Sequence, residues 1–146
     1  FFEKSLEKVV ALAILMPIVA SMGGNAGTQT LTIVVRALAT KALNPANLWR
    51  VINREVMMGV ANGFGFALIA AGVTWVWFKD PWLALVIGSA MTINMVAAAL
   101  AGILVPVGLQ RAGVDPGVSS PVFVTTVTDV VGFLSFLGLA TWILLR

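Results

Sequence analysis

The chain has 146 residues, of which 60% are hydrophobic and 10% charged, and its mean hydropathy is +1.02. A soluble domain carries charge nearer to about 25%, so this composition defines a membrane domain. Cysteine and histidine are both absent, which excludes disulfides, Cys/His zinc sites and Ser/His or Cys/His nucleophilic catalysis and leaves oxygen as the ligand for any bound metal.

The net charge is +3 and the pI near 10.0, yet the basic residues lie in the gaps between apolar stretches, where they report membrane topology and not nucleic acid binding. The chain opens on Phe1-Phe2 and the mixed charges Glu3, Lys4, Glu7 and Lys8. That is no basic signal-peptide n-region, and it points to a segment of a longer protein. Charge-free runs then extend from Val9 to Val35, Val56 to Phe78, Pro81 to Gln110 and Pro116 to Thr128, the last resuming from Val130 to Leu145. Each reaches the ~20 residues a helix needs to cross ~30 Å of hydrocarbon. A closed barrel needs alternating polarity, which Val9-Val-Ala-Leu-Ala-Ile-Leu15 lacks. The expected fold is an all-α, multi-pass membrane domain over residues 1–146, with helices at about 9–35, 56–78, 82–109 and 118–145 and no soluble domain.

The first run contains Met16-Pro17 and then Gly23-Gly-Asn-Ala-Gly-Thr-Gln-Thr30. Close helix crossing accounts for the glycines but not for Asn25, Thr28 and Gln29 together. Irregular backbone at this depth survives only against protein or water. The segment therefore predicts a Gly-rich break or kink, with Gly24, Asn25, Gly27 and Thr28 lining a cavity. The following gap holds Arg36, Lys41, Arg50 and Arg54, and Arg111 lies in the gap before the last run, against Lys4, Lys8, Lys79 and Arg146 on the other side. This places loops 36–55 and 110–117 in the cytoplasm and both ends of the chain outside. Trp75, Trp77, Trp82 and Trp142 mark one interface and Trp49 the other.

In the middle runs, Gly59-Val-Ala-Asn-Gly63 is a small-xxx-small motif. Gly59, Asn62, Gly63 and Asn94 are read as helix-packing residues. The last run holds Asp129, the only ionisable residue inside any of the runs. A carboxylate at bilayer centre costs roughly 2.5–3.5 kcal/mol on insertion scales, so it faces a partner, water or an ion. Pro121, Thr125, Asp129, Gly132 and Phe136 recur at helical spacing with Thr128 beside them, predicting a polar stripe that lines the interior around Asp129. Pro121 is placed near the first helical turn, where its missing N–H is harmless. Asn25 and Asp129 each lie roughly 16 Å from the inner face at ~1.5 Å per residue, a depth at which they can face one another.

A carboxylate at this depth also suits a secondary transporter that couples cation movement to protons through Asp129. An intramembrane aspartyl protease needs a second membrane carboxylate that these runs do not contain. No catalytic residue, and so no enzyme, is expected. The bland alternative is a structural subunit whose Asp129 bonds to Thr or Asn.

The motifs resemble those of the transmembrane domain of the MgtE family of magnesium channels. The resemblance is carried by Pro17-Ile-Val-Ala-Ser-Met-Gly-Gly-Asn-Ala-Gly-Thr-Gln29, Arg36-Ala-Leu-Ala39, Arg54-Glu55 leading into Gly59, Asn94 to Pro106, Asp115-Pro116, Ser120-Pro121, Thr125, Asp129 and Gly132. Ser120 departs from it, standing where the family often has glycine. The resemblance implies a homodimer with a pore on its twofold axis, lined by the glycine-motif helix and the last helix. It also implies a further membrane helix ahead of Phe1, cytosolic magnesium-sensing domains, and a pore aspartate matching Asp129 with Thr125 one turn earlier. Mg²⁺ is hard and gives up its waters reluctantly, so carboxylates and carbonyls hold it best as the hydrated ion. Two copies of Asp129 balance one divalent charge. Mn²⁺, Co²⁺ and Ni²⁺ also accept such ligands.

Overall fold

The computed structural model describes residues 3–144, with side chains from residue 7 onward; Leu145 and the side chains of Lys4 and Arg146 lie outside the described residues. Four helices, α1 (Glu3–Ala39), α2 (Leu48–Phe78), α3 (Pro81–Arg111) and α4 (Pro116–Leu144), are each long and apolar enough to span a membrane. No strand forms among the described residues. The expected all-α, multi-pass class is what is observed.

α1, α2 and α3 extend beyond their charge-free runs, and α4 passes through Asp129 without a break, because local caps and not charges set the ends. The α2–α3 turn needs only two residues. Lys79 takes a left-handed conformation (φ 54°) and its N–H donates to the Trp75 carbonyl, while the Asp80 carboxylate accepts from the N–H groups of Trp82 and Leu83 ahead of Pro81. Between α1 and α2 the basic gap of residues 36–55 shrinks to an eight-residue loop, 40–47. There Asn44 Oδ1 accepts from Ala46 and Asn47, and Asn47 Nδ2 donates to the Ala42 carbonyl; Arg36, Arg50 and Arg54 ride on helices instead. Asp115 likewise starts α4 early by accepting from the Gly117 N–H at 2.9 Å. Pro121 is therefore inside the helix and not in its first turn.

The sequence expectation of a break in α1 is not met: α1 runs as one helix through Gly23–Thr30. Tertiary packing supplies the reason. Gly23 and Gly27 are points of close approach: a Cβ on Gly23 would overlap the Asn94 side chain, one on Gly27 would lie 2.7 Å from Val124 Cγ1, and on the facing helix one on Gly102 would lie 2.8 Å from Thr30 Cβ and 3.0 Å from the Gly27 carbonyl oxygen. The missing side chains serve close helix approach.

α3 is the central helix, packed against all three others, and α1 also packs along α4, whereas α1 and α2 scarcely touch. Small residues such as Ala90, Ala98, Ala99 and Gly102 allow α3 this position. Gly59 and Gly63 of α2 seat on Ala99 and Met95 of α3. The outer face of α2, with Leu68, Ile69 and Val76 exposed, and all five tryptophans are turned outward. Gly102→Ala is expected to lower stability by about 1–3 kcal/mol through overpacking, while Gly65→Ala, with nothing within 4 Å of the added Cβ, causes no loss; thermal unfolding in detergent compares the two.

Candidate functional site

α1 and α4 lie antiparallel, and the close approaches fix their register. Val35 meets Gly117, Gly27 meets Val124, Gly24 meets Thr128, and Ala20 meets Gly132. Asp129 is thereby level with Gly23–Gly24. It stands roughly 20 Å from each end of α4 at ~1.5 Å per residue, which is mid-membrane. Its side chain is exposed on the outer surface of the four-helix unit, as are those of Thr125 and Pro121.

The expected stripe divides at this point. Pro121, Thr125 and Asp129 occupy the exposed edge of α4, whereas Thr128, Gly132 and Phe136 are buried. A step of three residues turns a helix back by about 60°, and α4 crosses its neighbours so that this offset carries Gly132 and Phe136 into the core. Gly132 and Thr128, expected to line a pore, are packing residues of the single chain. A Cβ on Gly132 would lie 2.9 Å from Asn94 Nδ2 and 3.3 Å from Ala20 Cα.

Asn94 organises this junction. It is fully buried, its Nδ2 donates to the Val19 carbonyl at 2.8 Å, and it wedges between Gly23 of α1 and Gly132 of α4. Its Oδ1 has no hydrogen-bond partner among the described residues. Asn94 thus ties α3 to both helices that carry the site. Replacing it with leucine deletes a long-range hydrogen bond and forces a branched side chain against two glycines; we expect a loss of about 1–3 kcal/mol, read as a lowered unfolding temperature.

The threonines of the seam share one chemical state. Thr28 Oγ1 donates to the Gly24 carbonyl (2.8 Å), Thr32 to Thr28 (2.9 Å), Thr125 to Pro121 (2.9 Å) and Thr128 to Thr125 (3.0 Å). Each hydroxyl hydrogen is committed to its own helix. What remains on the oxygen is lone pairs, so the exposed hydroxyls of Thr28, Thr32 and Thr125 offer acceptors to water or a cation. Together with Asp129 they make an acceptor-rich face in an otherwise apolar surface that includes Val122, Val130 and Phe133.

Asn25 does not belong to this face. It shares Asp129's approximate depth, but one residue turns a helix by about 100°. Its side chain lines a cleft between α1, α2 and α3 to which no residue of α4 contributes. The expected facing of Asn25 and Asp129 is not formed. Asn62, expected to pack, is exposed on the same cleft. Sequence reasoning counted Gln29 among the polar residues of the α1 segment without placing it and passed over Glu55, although Asn25 and Gln29 are spaced by four and Glu55 and Asn62 by seven, which puts each pair on one helical face.

Fold and site together define a multi-pass helical membrane protein with a mid-membrane carboxylate beside a seam of acceptor hydroxyls. A family model described as MgtE, a divalent cation transporter, matches residues 16–139. The chain is 33% identical over 141 residues to the magnesium transporter MgtE of Bacillus subtilis, covering 97% of this chain and 31% of that protein. To the magnesium transporter MgtE of Thermus thermophilus it is 36% identical over 143 residues, 98% of this chain and 32% of that protein. To that of Enterococcus faecalis it is 35% identical over 140 residues, 96% and 31%. The chain belongs to the MgtE family, and it spans about a third of the length of these relatives.

Proposed function

We propose that this chain is the membrane part of a magnesium transporter and passes Mg²⁺ through an axial pore formed by two copies, centred on Asp129. The observation that carries the reading is the outward exposure of Asp129 at mid-membrane. In a lone chain that carboxylate would meet lipid, a placement charged residues avoid. A second copy related by a twofold axis encloses it and brings a second carboxylate to the same ion. The relatives' description as magnesium transporters supports Mg²⁺ as the cargo.

Mg²⁺ travels this path with its water shell largely intact. Two carboxylates balance its charge, and the lone pairs of Thr125 and Thr28 accept hydrogen bonds from its waters. Monovalent ions are displaced by the more strongly held divalent ion and not sieved by size. Loops 40–47 and 112–115 face the cytoplasm, since Arg36, Lys41, Arg50, Arg54 and Arg111 cluster at that end. Mn²⁺, Co²⁺ and Ni²⁺ are candidate alternative cargoes on the same oxygens. The test is Mg²⁺ flux into liposomes containing the full-length protein, with and without a pH gradient. Flux that runs down the Mg²⁺ gradient alone supports the pore; flux that requires a proton gradient overturns it in favour of coupled transport.

A further inference from the structure

On the far side of α1 from Asp129 lies a second polar feature that the axial pore does not use. Because α1 and α2 part, they leave a cleft of about 310 Å³ backed by α3. Asn25 and Gln29 of α1 and Glu55 and Asn62 of α2 line it, and among the described residues Glu55 is the one ionisable group in its wall. Among the hydrogen bonds between described residues, none involves these four side chains, whereas Asn94 in the nearby core is bonded to Val19. Glu55 lies roughly 10 Å and Asn62 roughly 21 Å from the start of α2 at ~1.5 Å per residue. The polar wall therefore runs from near the membrane face to mid-depth. Met95, packed on Gly63, closes its floor.

We propose that this cleft is a second cation site, taking a hydrated divalent ion on Glu55 with the amide oxygens of Asn25, Gln29 and Asn62. Amides and a carboxylate at membrane depth need partners, and the wall offers oxygen acceptors with a negative charge and no cationic group. An anion or phosphate headgroup is repelled. An apolar helix seated there would leave all four side chains unsatisfied. The volume accommodates about ten waters at the ~30 Å³ each occupies in the liquid, which is ample for a divalent ion inside its octahedral shell. One carboxylate suffices here, unlike at Asp129, because Glu55 stands near the water-facing end of α2, where solvent screens the residual charge. Binding is correspondingly weak, on the order of the 10⁻⁴–10⁻³ M found at the weak end of oxygen-ligand calcium sites.

Met58, one turn beyond Glu55 and on the cleft wall, places a reporter within reach of the ion. In the full-length protein freed of other cysteines, a trifluoromethyl tag on Met58→Cys is titrated with Mn²⁺ and followed by fluorine NMR in 100 mM KCl. Saturable broadening is expected, with the midpoint raised at least tenfold by Glu55→Gln and several-fold by Gln29→Leu or Asn62→Leu, and unchanged by Asp129→Asn. Absence of saturable broadening in the K⁺ buffer, or one midpoint shared by wild type and all three cleft variants, overturns the site. Loss of broadening in Asp129→Asn also overturns it, since the ion sensed would then be the axial one. The uptake assay of Asp129→Asn reports on the axial pore separately, so either reading can fail alone. Should Glu55→Gln misfold, Gln29→Leu and Asn62→Leu decide the outcome.

Discussion

Asp129→Asn is expected to reduce Mg²⁺ uptake by the full-length protein at least a hundredfold while leaving the fold intact. The side chain is exposed on the four-helix unit, so the amide replaces the carboxylate with no change in core packing, and removing a charge at mid-membrane eases insertion. What is lost is the attraction for the ion. A unit charge at about 4 Å is worth roughly 4 kcal/mol at an effective dielectric of 20, and more for a divalent ion, while each factor of ten needs only about 1.4 kcal/mol. Asp129→Glu retains the charge but moves it by a methylene, and partial uptake is expected. The check is indicator fluorescence in proteoliposomes, with circular dichroism as the control for folding. Uptake by Asp129→Asn within twofold of wild type would remove the carboxylate from the transport path.

The helices were legible because lipid and caps both leave marks in the sequence. Long charge-free runs follow from the absence of hydrogen-bonding solvent in the bilayer, and Lys79-Asp80-Pro81 and Asp115-Pro116 are local stop and start chemistry. The depth of Asp129 was legible too, since depth is a count of residues. Rotation about the helix axis was not. Thr128 and Asp129 are neighbours in sequence, yet one is buried and the other exposed, and only the contacts of α4 with α1 and α3 decide which. The same limit hid the continuity of α1. Gly23 and Gly27 read as a flexible break when taken alone, but Asn94 and Val124 occupy the space their missing side chains leave, and the helix runs on through them. Glu55 was masked by Arg50 and Arg54, whose charges assign the stretch to a loop although α2 already begins at Leu48.

Cysteine at Thr125 is expected to link two copies covalently in the membrane, and cysteine at Gly132 to fail, although a helical stripe read from sequence treats the two as equivalent. The chain contains no cysteine of its own, so each probe is unambiguous once the rest of the full-length protein is freed of cysteine. Thr125 is exposed, one turn from Asp129; if Asp129 and its mate share an ion on a twofold axis, Thr125 faces its own mate across the same path. A disulfide needs Cα atoms within about 7 Å, and a path that admits a hydrated ion holds them further apart. A short bismaleimide is the reagent that fits that gap. Gly132 offers no such access, because its Cβ would lie 2.9 Å from Asn94 Nδ2 and 3.3 Å from Ala20 Cα. A thiol there is buried between α1 and α3 and costs stability through overpacking. Val76, 66% exposed on the outer face of α2, is the surface control, and its cysteine is expected to stay monomeric. Conversion of most Thr125→Cys protein to a dimer, with none for the other two, supports a pore on the axis. If Val76→Cys links and Thr125→Cys does not, the copies meet through α2, Asp129 of each faces its own surroundings, and a private path through each subunit becomes the better reading.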